Sequence, residues 1–153
     1  MAIGERIRFF RRLRGMTLKE LGIAVGFSSS TAEVRISQYE IGYRTPKIGV
    51  VKDLADHLQV SPGALSVPDM DSSQGFMHTL FAIEDLYGLQ VGKLDGELCL
   101  HFSSIEARMK FKEDFETWYT MLRRYQLGDI SKEEYDQWRY TFQGEMEDAR
   151  KRL

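Results

Sequence analysis

Cysteine is almost absent: Cys99 is the single thiol in 153 residues. One thiol excludes an intramolecular disulfide framework and a multi-cysteine zinc site. No apolar run approaches the roughly 18–20 residues that span a bilayer, which argues against a membrane partner. The N-terminus carries arginines without an apolar stretch behind them, so it is not a secretory signal. The expected compartment is therefore the cytoplasm. There is no internal repeat and no low-complexity tract. No P-loop, G-x-G-x-x-G or G-x-S-x-G motif occurs. His57, His78 and His101 are far apart. Cys99 and His101 share one strand face by alternation, but no third ligand or orienting acid accompanies them. The sequence thus implies no metal, no cofactor and no enzyme.

A net charge of -2 hides an asymmetry. Residues 1–68 hold ten Lys+Arg against six Asp+Glu, a net of +4, and the remainder is acidic. A basic half joined to an acidic half suggests a nucleic-acid or membrane contact on the basic side.

Helical spacing dominates the front half. Ile3, Ile7 and Phe10 form a first stripe among arginines, and Gly15 ends it as a C′ residue would. Thr17 with Glu20 is a capping box for a second helix carrying Leu18, Leu21 and Val25. Polar residues 28–31 form a turn before a third helix, about Ala32 to Ile41. Thr45-Pro46 reads as a cap followed by proline at the first helical position, and Ser61-Pro62 repeats that signal. Ile48, Val51, Leu54, Ala55 and Leu58 give the fourth helix its buried face.

Five short helices in this order resemble the lambda-repressor-like helix-turn-helix domain of Cro/repressor, or XRE-type, regulators. The resemblance rests on Ile3, Ile7 and Arg11, then Thr17, Leu21 and Gly26. Ile36-Ser37-Gln38-Tyr39-Glu40 with Gly42 follows, and then Arg44-Thr45-Pro46 and Ser61-Pro62 with Leu65. It covers residues 1–67. Two features depart from the family pattern: Leu18 stands where a DNA-contacting glutamine is usual, and the segment from Gly26 to Tyr39 is longer. The resemblance implies an ion pair between Arg11 and Glu40 that ties the first helix to the third.

At about 100° per residue, Ile36 and Tyr39 face inward and the opposite face of the third helix carries Thr31, Val34, Gln38 and Ile41, flanked by Arg35 and Ser37. Gln pairs bidentately with adenine, Arg with guanine, and a Val methyl meets a thymine methyl. The same side chains could instead face solvent or a protein. Arg44 and Lys47, at the start of the fourth helix, suit phosphate oxygens.

In the back half, Phe76, Leu80, Ile83 and Tyr87 mark a helix from about Ser72, ended by Gly88. Leu89–Val91 and Leu98–Phe102 alternate like strands around Asp95-Gly96, a hairpin signal. Ser103 with Glu106 reads as a capping box for a long helix. Its seam is Phe111, Phe115, Trp118, Leu122 and Tyr125. Ser131 with Glu134 starts a last helix striped by Tyr135, Trp138, Phe142 and Met146. Acidic Glu145, Glu147 and Asp148 before Arg150, Lys151 and Arg152 would suit its end. The two helices should form an antiparallel hairpin. Their aromatic excess serves to cover the β-hairpin, to meet a second copy of the chain, or both.

The expected fold class is mainly α. Residues 1–67 form the helix-turn-helix domain, 68–74 a linker, and 75–153 an acidic dimerisation or regulatory domain with a β-hairpin. The resemblance implies a sequence-specific regulator that binds double-stranded DNA as a homodimer and represses. The alternative is a protein-interaction module whose aromatic helices hold a regulatory protein partner.

Overall fold

The structure is a computed structural model that describes residues 3–68 and 70–143. Its elements run α1 (Ile3–Leu13), α2 (Leu18–Ala24), α3 (Ala32–Glu40), α4 (Ile48–Leu58), α5 (Pro62–Leu65), α6 (Ser73–Tyr87), β1 (Leu89–Leu94), β2 (Glu97–Phe102), α7 (Ile105–Lys110), α8 (Lys112–Leu127) and α9 (Lys132–Thr141). The fold is mainly helical, with one antiparallel two-stranded sheet among the described residues. Residues 3–68 and Asp136–Gln143 form one compact unit, and residues 70–135 a second.

The first unit has a continuous apolar core. Ile7 and Phe10 of α1, Leu21 of α2, Ile36 and Tyr39 of α3, and Leu54 and Leu58 of α4 are all buried in it. Local signals set the helix ends. The Thr17 hydroxyl accepts from the Glu20 N–H, and the Glu20 carboxylate accepts from the Thr17 N–H. That second bond holds the Glu20 carboxyl below its usual range, so the cap contributes fully above that range and is lost as the pH falls below it through the depressed value. The Ser61 hydroxyl caps α5 through the Ala64 N–H, with Pro62 in the first turn. Thr45-Pro46 behaves differently. Lys47 is the N-cap of α4, without a side-chain cap, and Pro46 is buried ahead of the helix. Core burial of the proline ring has displaced the expected start.

Two glycines let helices touch. A Cβ on Gly22 would lie 2.6 Å from the Ala32 carbonyl oxygen, and one on Gly4 2.2 Å from that of Tyr39. Both neighbours are backbone, so neither can swing aside. These contacts fix α1 and α2 against α3.

Asp136–Gln143 closes the same unit from far along the chain. The Tyr140 ring packs edge-on against Phe10, with centroids 4.9 Å apart, and against Phe9 at 6.1 Å. Its carbonyl accepts the Ser61 N–H at 2.8 Å. The Gln137 side chain accepts from Arg14 at 2.7 Å and donates to the Gln59 carbonyl at 3.0 Å.

The second unit begins with α6, capped by the Ser72 hydroxyl and stopped at Gly88 in the left-handed region. β1 and β2 pair from Leu89 with Phe102 to Leu94 with Glu97. Asp95 and Gly96 both have positive φ, 51° and 87°, the geometry of the two-residue turn whose twist matches the strands. The expected long helix is instead two, α7 and α8, because Phe111 leaves the helical path. Its ring stacks on Phe102 at 5.6 Å and meets Tyr87 edge-on at 5.2 Å. The cap of α7 is Ser104 rather than Ser103, whose N–H bonds the Gly88 carbonyl. Ser131 and Glu134 form the expected capping box. Tyr135 stacks on Tyr125, and its hydroxyl accepts from the Trp118 indole at 2.9 Å. Among the described residues of this unit only Ile130 and Tyr135 are buried. The readings at Glu145, Met146, Glu147, Asp148, Arg150, Lys151 and Arg152 lie outside the described residues.

A Gly22→Ala substitution should lower stability by roughly 1–3 kcal/mol, the usual cost of overpacking, because the added methyl meets backbone. Thermal unfolding followed by circular dichroism measures the loss. An unchanged melting temperature would show that the α2–α3 contact is not as tight as described.

Candidate nucleic-acid interface

α3 buries Ala32, Ile36 and Tyr39 and turns its other side outward. Thr31, Val34 and Arg35 are exposed there, and Ser37 and Gln38 are half-buried. Ser30, Thr31, Val34, Arg35, Gln38 and Arg44 together line a shallow notch of about 230 Å³. Arg44 comes from the loop after α3, which is fastened back by the Arg44 N–H to the Gln38 carbonyl at 3.1 Å. Ser37 and Lys47 do not line the notch. Lys47 is exposed at the uncapped N-terminus of α4, where backbone N–H groups and a positive side chain favour an anion.

The longer segment before α3 is a hydroxyl-rich turn. The Ser28 carbonyl accepts the N–H groups of Thr31 and Ala32, both at 2.9 Å. The Ser28 and Thr31 hydroxyls are 2.8 Å apart. The extra residues are thus accommodated on the outside, ahead of an α3 of ordinary length. Leu18, in the position where glutamine is usual, packs against the core. It offers no polar contact to a nucleic acid.

Sequence reasoning missed one contributor. The Phe27 ring lies under Arg35, with the guanidinium carbon 5.9 Å from its centroid, and is itself braced against Tyr39 at 6.3 Å. An aromatic at the foot of the serine turn was the available signal.

The ion pair behind this face has two donors. Arg11 gives Nη2–H to the Glu40 carboxylate at 3.0 Å and Nε–H to its other oxygen. Arg8 adds a bond at 3.3 Å, while Arg11 also reaches the Met16 carbonyl at 2.8 Å. The bond to Glu40 raises the Arg11 pKa, so this guanidinium stays charged throughout the physiological range. The other α1 arginines are largely committed too. Arg6 donates to the Ala64 carbonyl at 2.9 Å beneath the Phe10 ring, and desolvation lowers its pKa. Arg14 donates to the Leu58 carbonyl at 2.9 Å. Arg12 is exposed, as are Arg35, Arg44 and Lys47. Lys19 of α2 and Lys52 of α4 are exposed too, and of all these only Arg35 and Arg44 line the α3 notch.

The aromatic set differs in exposure from residue to residue. Phe111, Leu122, Tyr125 and Trp138 are half-buried, Tyr135 is buried, and Phe115, Trp118 and Phe142 are exposed. Trp138 meets Phe142 edge-on at 5.7 Å. Among the described residues no group of three or more His, Cys, Asp or Glu gathers as a metal site. No helix there is long and apolar enough to cross a membrane.

A family model described as a helix-turn-helix domain matches residues 2–66. The uncharacterized HTH-type transcriptional regulator YazB of Bacillus subtilis (strain 168) is 36% identical over 66 residues, which is 43% of this chain and 90% of that protein. Among solved structures, the transcriptional regulator BswR aligns with a TM-score of 0.43 and 26% identity, over 57% of this chain and 97% of that one. With α1–α5, the capped α2, the tight α2–α3 contact and this match in hand, the chain belongs to the lambda-repressor-like, XRE-type family of helix-turn-helix transcriptional regulators.

Proposed function

We propose that the protein is a sequence-specific double-stranded DNA-binding repressor that acts as a cytoplasmic homodimer. The observation that carries the reading is the exposed notch on α3, where Arg35, Gln38, Val34 and Arg44 meet with no ion pair of their own. An α-helix fits the major groove, and these side chains can read base edges there. In this reading Arg35 and Gln38 make the hydrogen bonds, and Val34 takes a thymine methyl. Thr31 and Ser37 flank them, and Lys47 holds phosphate beside the groove.

A dimer follows from the same logic, since two copies of α3 about a two-fold axis match two half-sites roughly one DNA turn apart. The exposed aromatic side chains of α8, Phe115 and Trp118, support this role for the second unit. A repressor of this kind blocks polymerase by occupancy, so no catalytic residue is required.

The test is selection of genomic fragments by the purified full chain, followed by affinity measurements on the enriched sequence. Replacing both Arg35 and Gln38 by Ala should reduce affinity for that sequence by about 30-fold or more, given roughly 1–3 kcal/mol for each good base contact. Helical content should not change. Equal affinity of the double variant at matched salt would sink the base-reading role and favour use of the domain as a protein scaffold.

Lys47→Ala should act otherwise. It should weaken binding to all sequences alike and flatten the plot of log affinity against log salt by about one unit of slope. A loss confined to the enriched sequence would reassign Lys47 from phosphate to base.

A further inference from the structure

The antiparallel register sorts the hairpin into two faces. Gln90, Gly92, Leu94, Glu97, Cys99 and His101 share one. Leu89, Val91, Lys93, Leu98, Leu100 and Phe102 share the other, which is apolar but for one lysine. Only one end of the apolar face is covered. There Phe102 stacks on Phe111 and meets Phe115 edge-on at 5.4 Å. Beyond it Val91 is 65% exposed, Leu100 55% and Leu98 73%. The strip continues past Phe102 through Phe115, whose ring is 6.0 Å from that of Trp118.

We propose that this strip, from Leu98 and Leu100 across Phe102 to Phe115 and Trp118, is the surface on which a second copy of the chain seats, hairpin face against hairpin face. The inference rests on the dimer reading and adds to it a specific, self-complementary face. Three observations lead to it. First, the unit is unfinished. With Ile130 and Tyr135 alone buried among its described residues, it has too little core for a domain of its size. A deficit built into every copy is met most directly by a partner present in equal amount wherever the chain is, and that partner is another copy.

Second, the area is right. Leu98 is 73% exposed, Leu100 55%, Trp118 48% and Phe115 43%, so the strip presents apolar surface on the order of a few hundred Å² toward the about 800 Å² per partner of a stable interface. Ile105 and Met109 of α7, which follows β2 in the chain, are exposed as well. Third, the chemistry is symmetric. Homodimer cores are depleted in charge. The one cation on the face, Lys93, sits opposite Leu98 near the turn, where its stem can lie on apolar surface while its ammonium reaches water. The opposite face, with Glu97, His101 and Gln90, has no such sidedness.

Two measurements on the full chain test the proposal. In a Cys99→Ser background, Leu100→Cys should be joined into a covalent dimer by a short bismaleimide, whereas Glu97→Cys, on the other face, should not. Leu98→Lys with Leu100→Lys should raise the dimer dissociation constant in sedimentation equilibrium by about 30-fold or more, as loss of hot-spot contacts does. Neither residue is buried in the single chain, so circular dichroism at a concentration where the wild type is monomeric should match the wild type. A dimer that resists the lysine pair and cross-links equally from both faces overturns this face while leaving the dimer intact. A wild-type chain that stays monomeric at high concentration overturns the dimer reading as well, and leaves the strip to a different protein.

Discussion

Glu40 sits at the last turn of α3, nearly sealed from solvent, and takes guanidinium bonds from both Arg11 and Arg8 of α1. Two cations on one buried carboxylate make the orientation of α3 all but rigid with respect to α1. Paired charges in a poorly solvated site are far costlier to separate than surface charges, because either partner left alone keeps its desolvation cost. The near-contact of Gly22 with Ala32 sets the opposite end of α3 by steric means. One helix is thereby pinned at its C-terminus by charge and at its N-terminus by shape. Its outer side can then carry unpaired polar and basic groups without any duty to the fold. Rigidity of this kind matters for reading a groove, since a helix that could roll by one residue would present a different set of side chains.

Much of this was legible from local signals. Where a feature is decided within a few residues, the reading and the structure agree: the Thr17/Glu20 and Ser131/Glu134 boxes, Ser61-Pro62, the Asp95-Gly96 turn and the stop at Gly88. Where a distant partner decides, they part. Thr45-Pro46 predicts a helix start, but Pro46 is buried ahead of the helix and Lys47 is the N-cap. Phe111 fits a seven-residue spacing with Phe115 and Trp118, yet Phe102 and Tyr87 claim its ring and break the helix there. The outer residues of α3 could be named from the helical wheel. Their company with Arg44, and the Phe27 ring beneath Arg35, depend on loop geometry that no period encodes.

The two units differ in how complete each is. The first contains seven large side chains with almost no exposure, drawn from α1 to α5. The second is held by paired rings and a short sheet, and leaves most of its apolar side chains at the surface. It is also the acidic stretch of the chain.

Tyr140 adds a constraint of time. Phe9 and Phe10 are made well before the ring that covers them, which lies far downstream. At roughly 5–20 residues per second, a ribosome takes several seconds to supply it after the five N-terminal helices have emerged. During that interval the nascent domain holds its core with one side bare and Ser61 without its carbonyl acceptor. The first unit therefore reaches its finished state only after the stretch that forms the second has also been made.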